Sequence, residues 1–256
     1  MLGAIAGDVI GSPYEHAPIK TKDFPLFSRY STFTDDTVLS LAIADSLLHA
    51  IPYTTTLRDY FQRYPNAGYG GSFRRWARSP LPQAYGSYGN GSAMRVSPIA
   101  WFYDDYDRIQ QEALRSAEVT HNHPEGIKGA QAVAAAICLA RTGAGKRAIR
   151  TDVEERFGYD LAATLDEIRP DYTFQVSCQA SVPQAIIAFL ESTDFEDAIR
   201  NAVSLGGDSD TQACIAGAIA EAHYGGVPAA IAEQVLARLD ERLRGVYRVF
   251  SERLKR

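Results

Sequence analysis

Apolar side chains repeat with the period of an α-helix along most of this 256-residue chain. The alanine-rich segments that carry this pattern cover about 36–49, 108–120, 124–141, 182–191, 195–204, 210–223 and 231–254. Clean alternation of the kind a strand needs is almost absent, and residues 172–176 are the one short segment that we expect to be extended. The pattern predicts an all-α fold with roughly ten or more helices.

Length, charge and cysteine content limit the function classes. No linker is evident, so we expect one domain over residues 1–256. The net charge of −5 offers no basic footprint for nucleic acid or for an anionic membrane. No run approaches the roughly 18 apolar residues of a spanning helix, and Asp8 comes too early for a signal peptide. Cys138, Cys178 and Cys214 lie far apart in apolar stretches, which predicts reduced thiols and a cytoplasmic protein.

Two acidic clusters stand directly before apolar, alanine-rich runs: residues 34–37 (Thr-Asp-Asp-Thr) and 208–211 (Asp-Ser-Asp-Thr). Such residues at a helix start can simply cap the free amides of the first turn. Each cluster, however, carries one carboxylate more than capping uses, and unpaired carboxylates beside a core are costly. Oxygen ligands suit Mg²⁺ or Mn²⁺ rather than zinc. The spacing alone leaves capping and a binuclear metal site as open interpretations.

Two further segments could carry chemistry. The loop 86–92 (Gly-Ser-Tyr-Gly-Asn-Gly-Ser) is either an ordinary connection or a cradle in which main-chain amides face a diphosphate. It lacks the lysine of a Walker loop and follows no clear strand, so it does not indicate a nucleoside triphosphatase. His121-Asn122-His123 could bind zinc, lie exposed on a loop or contact a ligand, and Glu15 could be an ordinary surface residue.

Several blocks of the sequence resemble, in order, those of the ADP-ribosylglycohydrolases. This family includes relatives of the dinitrogenase-reductase-activating glycohydrolase and the eukaryotic ADP-ribosyl-acceptor hydrolases. The similarity spans about residues 1–226, and the matching blocks are Gly3–Asp8, Gly11–Glu15, Phe33–Thr37, Gly86–Gly91, Thr120–His121 and Gly206–Thr211.

The resemblance implies a compact, orthogonal multi-helix bundle with a cleft that holds two Mg²⁺ or Mn²⁺ ions. The metal ligands that it implies are Thr34, Asp35, Asp36, Asp208, Asp210 and Thr211. The catalytic residues would be Glu15, Asp35 and Asp36, with Glu15 managing a proton. The residues implied to bind ADP-ribose are Gly70, Gly86, Ser87, Tyr88, Gly89, Asn90, Gly91 and His121.

We therefore expect a metal-dependent hydrolase that removes ADP-ribose from a modified acceptor by cleaving the bond at C1″ of the ribose. Its partners would be ADP-ribosylated proteins or small molecules, with an arginine acceptor slightly favoured. Two alternatives stay open. The chain could be a non-catalytic ADP-ribose binder or a structural, crystallin-like member of the family, or it could hydrolyse a small derivative such as O-acetyl-ADP-ribose. The sequence does not indicate an oligomeric state.

Overall fold

The computed structural model describes residues 1–255, and within them it contains fifteen α-helices, one 3₁₀ helix (Ser12–Tyr14) and no sheet. The predicted all-α fold is confirmed. The helices are α1 (Leu2–Gly11), α2 (Asp35–His49), α3 (Tyr53–Arg63), α4 (Gly71–Arg78), α5 (Gly91–Met94), α6 (Ser97–Phe102), α7 (Tyr106–Glu118), α8 (Pro124–Arg141), α9 (Lys146–Phe157), α10 (Leu165–Ile168), α11 (Cys178–Leu190), α12 (Phe195–Val203), α13 (Ser209–Tyr224), α14 (Ala229–Arg238) and α15 (Glu241–Leu254).

One expectation about local structure was wrong. The segment 231–254, predicted as one helix, is divided into α14 and α15 at Leu239. Asp240 caps α15 by accepting a hydrogen bond from the Leu243 amide, so a polar helix start lies inside the apolar pattern. The segment 172–176, which we expected to be extended, lies outside every helix and forms no regular strand. The next residue, Ser177, makes an isolated antiparallel bridge with Gly89. This bridge fastens the start of α11 to the loop 86–92.

The closest helix contact lies between the first helix and α13. Gly3, Gly7 and Gly11 occupy one face of α1, four residues apart, and a Cβ atom at Gly7 would lie 1.9 Å from the Ala213 carbonyl oxygen. Gly217 offers the matching gap on α13, because its own added Cβ would lie 2.3 Å from the Gly3 carbonyl oxygen. The two backbones are therefore almost in contact, which brings the side chains near their ends together.

The helices share one cluster of buried apolar residues, to which α1, α2, α8, α11 and α13 all contribute. All three cysteines are buried and free, as predicted. No helix within residues 1–255 combines the length and apolar composition that a membrane crossing requires. The starts of α2 and α13 reach the edge of this core at the same place, and the residues around them form the site.

Candidate active site

A cavity of about 380 Å³ opens where the starts of α2 and α13 meet the glycine-rich loops. One end of it carries five carboxylates. The other end carries Arg95 and His121, beside the loop 86–92. Arg95 is the single lysine or arginine that lines the cavity among the residues described. The carboxylates that line the acidic end are Glu15, Asp35, Asp36, Asp208 and Asp210.

The carboxylates form two groups that share Asp210. Asp8, Asp36 and Asp210 each place one oxygen so that the three lie within 4.8 Å of one another, and Glu15, Asp208 and Asp210 do the same. The two acidic helix starts are therefore adjacent in space although 172 residues separate Asp36 from Asp208 in the chain. A carboxylate that belongs to both groups, as Asp210 does, could bind two neighbouring cations at once.

Asp8 holds the start of α2 and was not predicted as a site residue. Its carboxylate accepts hydrogen bonds from the Thr34 amide at 2.9 Å, the Thr34 hydroxyl at 2.8 Å, and the amide and hydroxyl of Thr37. Four donors fill the usual capacity of an ionised carboxylate. The Thr34 hydroxyl also accepts from the Asp36 amide and thereby caps α2. The sequence signal for Asp8 is one acidic residue in the otherwise apolar, fully buried α1.

The start of α13 is tied to its surroundings by side-chain contacts. The Asn90 amide donates to Asp208 Oδ2 at 2.7 Å, which links the glycine loop to the acidic end of the cavity. The Thr211 hydroxyl donates to Asp36 Oδ2 at 3.3 Å, which joins the first turns of α13 and α2. These bonds orient Asp36 and Asp208 toward the same space.

The acidic side chains at the cavity repel one another. Burial, and then the charge of neighbouring carboxylates, raises the pKa values of Asp35, Asp36 and Asp210 well above their usual range. Asp36 Oδ1 is buried and has no hydrogen-bond partner. Burial likewise raises the pKa of Glu15, and the charge of Asp208 adds to the effect. An oxygen-only donor set with an orphaned carboxylate oxygen fits a hard divalent cation.

The predicted site residues lie in different positions relative to this cavity. Glu15 follows the 3₁₀ helix, is half-buried and faces Asp208. Asp35 lines the cavity but lies outside both carboxylate groups, and its Oδ1 lies near Gly68. Thr34 is occupied in capping α2. The glycine-loop and neighbouring residues that line the cavity are Gly70, Ser87, Gly89, Asn90, Gly91 and His121.

Two of the residues that were predicted to bind ADP-ribose do not line the cavity. The Gly86 amide donates to Asn122 Oδ1 at 2.7 Å, and Gly86 itself has a φ of 66°, which favours glycine. Tyr88 is exposed and packs edge-on against the His123 ring. Gly86 and Tyr88 therefore shape the loop from outside the cavity.

The two histidines of the 121–123 segment have different environments, and neither belongs to the carboxylate groups. His121 is buried, so the interpretation of a solvent-exposed loop histidine, one of those left open by the sequence, is excluded. His123 caps α8, because its Nδ1 accepts a hydrogen bond from the Glu125 amide at 3.1 Å. Arg95 directly follows α5, and its side chain is completely buried. No local feature of the sequence marks that burial.

Comparisons with known proteins agree in one family. A profile of the ADP-ribosylglycohydrolase family matches residues 1–255. ADP-ribosylhydrolase ARH3 of Gallus gallus is 27% identical over 308 aligned positions, covering 88% of this chain and 84% of that protein. ADP-ribosylarginine hydrolase Tri1 of Pseudomonas putida (strain GB-1) is 27% identical, and the alignment covers 92% of this chain and 72% of that protein. A solved structure described as an ADP-ribosylglycohydrolase-related protein complex superimposes with a TM-score of 0.74 at 26% identity. The superposition covers 99% of this chain and 97% of that one.

Proposed function

Because this chain belongs to the ADP-ribosylglycohydrolase family and is therefore a glycosidic hydrolase, we propose that it releases ADP-ribose from a modified acceptor in a reaction that requires two Mg²⁺ or Mn²⁺ ions. The observation that carries the metal requirement is the pair of carboxylate groups that share Asp210, in which every member except the half-buried Glu15 is buried. The orphaned oxygen of Asp36 supports it, because a buried carboxylate oxygen without a partner is costly.

The residues that would hold the ions are the acidic pairs at the starts of α2 and α13. When bound, two such cations act as Lewis acids toward ribose hydroxyls and a water molecule. Asp8 fixes the start of α2 through the amides and hydroxyls of Thr34 and Thr37. The ligands that we propose are Thr34, Asp35, Asp36, Asp208, Asp210 and Thr211, with Asp35 and Asp36 next to the reacting bond.

Glu15 is our candidate for proton transfer. In the hydrolysis, the bond between C1″ and the acceptor atom breaks, the oxygen of a water bonds to C1″, and one proton of that water ends on the acceptor. Glu15 lies half-buried at the cavity and faces the acidic end, so it can accept the water proton and return it to the leaving group. Asn90 holds the glycine loop beside Asp208, so that an anion on that loop and a ribose at the carboxylates would be adjacent.

We propose an arginine side chain as the acceptor. The name of the Pseudomonas putida relative, an ADP-ribosylarginine hydrolase, supports an arginine acceptor. The carboxylates that line the cavity around Glu15 also suit a cationic guanidinium. O-Acetyl-ADP-ribose is the small-molecule alternative. The three buried free cysteines support our further proposal that the protein works in a reducing cytoplasm.

The test is release of free ADP-ribose from ADP-ribosyl-arginine, ADP-ribosyl-serine and O-acetyl-ADP-ribose in Mg²⁺, in Mn²⁺ and in EDTA. We expect release from one substrate, loss in EDTA and recovery when the cation is restored. Full activity in EDTA would refute the metal requirement. Tight ADP-ribose binding without release from any of the three would favour the non-catalytic binder instead.

A further inference from the structure

The basic end of the cavity contains a short relay of hydrogen bonds beneath the glycine loop. Arg95 Nη2 donates to the Thr120 hydroxyl oxygen at 2.8 Å and to the Ser116 carbonyl at 2.8 Å. The same hydroxyl oxygen lies 2.7 Å from His121 Nδ1. All three side chains of the relay, those of Arg95, Thr120 and His121, are buried. The relay therefore connects a buried cation to an imidazole at the cavity.

The donors and acceptors in this relay have one favourable assignment. A guanidinium can only donate, so the Thr120 oxygen accepts from Arg95 and must place its single proton elsewhere. The Ala117 carbonyl is 3.4 Å away and already accepts the amides of Thr120 and His121 at 3.1 and 2.7 Å. His121 Nδ1, at 2.7 Å, is the better acceptor. The Nδ1 atom is then unprotonated, and the neutral ring carries its proton on Nε2.

The Nε2 atom of His121 faces the glycine loop. A Cβ atom added at Gly91 would lie 3.2 Å from Nε2, and one at Gly89 would lie 3.6 Å from it. Glycine at these two positions therefore leaves the space in front of Nε2 open. The Nε and Nη1 atoms of Arg95 are buried without hydrogen-bond partners, and no carboxylate forms an ion pair with this cation among the residues described. The charge of Asp35 acts on Arg95 without forming an ion pair. The cation is therefore only partly compensated, and an anionic ligand would complement this end of the cavity.

We propose that Arg95 and Thr120 are positioning residues that hold neutral His121 as its Nε2–H tautomer and aim that donor at a phosphate group in the glycine loop. The identity of the phosphate, as the diphosphate of ADP-ribose, rests on the proposed function; the tautomer does not. Arg95 has two effects in this arrangement. Its donated hydrogen bond fixes the orientation of the Thr120 hydroxyl, and its unpaired positive charge keeps a second cation from forming on His121.

The tautomer can be measured directly in the unliganded protein. Long-range ¹H–¹⁵N correlation spectra distinguish protonated from unprotonated imidazole nitrogens, and the His121→Gln variant identifies the His121 signals among the five histidines. We expect an unprotonated Nδ1 and a protonated Nε2 near pH 7. A protonated Nδ1 in the wild-type protein would overturn the proposal, whatever the enzyme hydrolyses.

Binding of ADP-ribose to Thr120 variants tests the role of the relay. Thr120→Val removes the hydroxyl at nearly constant volume, and Thr120→Ser keeps it. We expect Thr120→Val to lose the tautomer preference and to bind ADP-ribose about tenfold more weakly by calorimetry, whereas Thr120→Ser resembles the wild type. If Thr120→Val keeps both the tautomer and the affinity, the inference fails while hydrolysis still proceeds. Wild-type protein that shows the Nε2–H tautomer but binds no ADP-ribose would instead refute the proposed ligand.

Substitutions of His121 supply an independent comparison. A glutamine side chain can place its amide N–H near the position of Nε2, whereas the shorter asparagine reaches only the position of Nδ1. We expect His121→Gln to retain more ADP-ribose affinity than His121→Asn. Equal losses, or a better asparagine variant, would contradict the assignment of Nε2 as the donor.

Discussion

Replacing Gly7 by alanine should destabilise the protein, although alanine is the better helix former. An added Cβ atom would lie 1.9 Å from the Ala213 carbonyl oxygen and 2.5 Å from the Cys214 amide nitrogen, well short of the 3.4 Å at which ordinary contact begins. Both obstructing atoms belong to the α13 backbone, so no side-chain rotation relieves the overlap. The helices must move apart, which exposes gaps in a core that is otherwise closely packed.

The size of the effect follows from two opposing terms. Alanine stabilises a helix over glycine by about 1 kcal/mol, whereas overpacking of a core costs about 1–3 kcal/mol and occasionally more. Since the clash at Gly7 is with main chain on a fully buried face, we expect the upper part of that range and a net loss of about 2 kcal/mol or more. The free energy of unfolding of a typical domain is about 5–15 kcal/mol, so this loss would be a large fraction of the total stability.

Urea unfolding in EDTA measures this change, and Gly245→Ala is the matched control. Gly245 lies inside α15, and an added Cβ there would meet no atom within 4 Å. The control should therefore gain about 0.5–1 kcal/mol in the free energy of unfolding. A Gly7→Ala variant as stable as the wild type, or stabilised like the control, would refute the close approach of α1 and α13.

Three further predictions concern the cavity. Asp210→Asn should weaken Mg²⁺ binding, measured by calorimetry, at least tenfold. Asp166→Asn, which changes an exposed surface ion pair, should leave Mg²⁺ binding unchanged. Equal Mg²⁺ affinities of the two variants would contradict a role for Asp210 in both carboxylate groups. Glu15→Gln should lower kcat by about 10²–10⁴-fold with ADP-ribose affinity retained, and an unchanged kcat would exclude it from proton transfer. Burial, and then the charge of Arg95, lowers the pKa of His121 well below 6.5. Below pH 6.5 the unfolded chain therefore binds a proton at this histidine that the folded chain does not bind. His121 thus makes the free energy of unfolding fall by up to about 1.4 kcal/mol for each pH unit below pH 6.5. A wild-type unfolding free energy that changes with pH just as that of His121→Gln does would contradict this.

The sequence predicted those parts of the fold that depend on local signals. The bounds of α8 agree with the prediction because Pro124 and Gly143 mark its ends locally. The division between α14 and α15 was missed because the capping residue Asp240 interrupts an apolar period that continues on both sides. The approach of α1 to α13 was not predicted, since it depends on small residues that face each other across more than 200 positions of sequence.

The site residues, too, could be predicted where the sequence carries a local signal and not where the signal depends on distant residues. Glu15 and the acidic helix starts were predicted from short motifs, and the assignment of their chemical roles stays a prediction. Asp8 was missed because a single acidic residue in an apolar helix has no local meaning. It gains one only when the start of α2, 26 residues later, supplies four donors to it. Arg95 was connected to the adjacent pair Thr120 and His121 only by tertiary packing.

The glycine contact and the carboxylate groups are two consequences of one packing arrangement. Because α1 lies directly against α13, Asp8 comes close to Asp210, and Asp8 in turn fixes the start of α2 and so places Asp36 beside both. The apolar core holds these helices together, and it thereby forces together carboxylates that repel one another. A cation that binds only the folded chain would remove this repulsion and stabilise the protein by mass action. We therefore expect a folded apoprotein whose melting temperature rises with Mg²⁺ concentration, and whose rise is lost in Asp210→Asn.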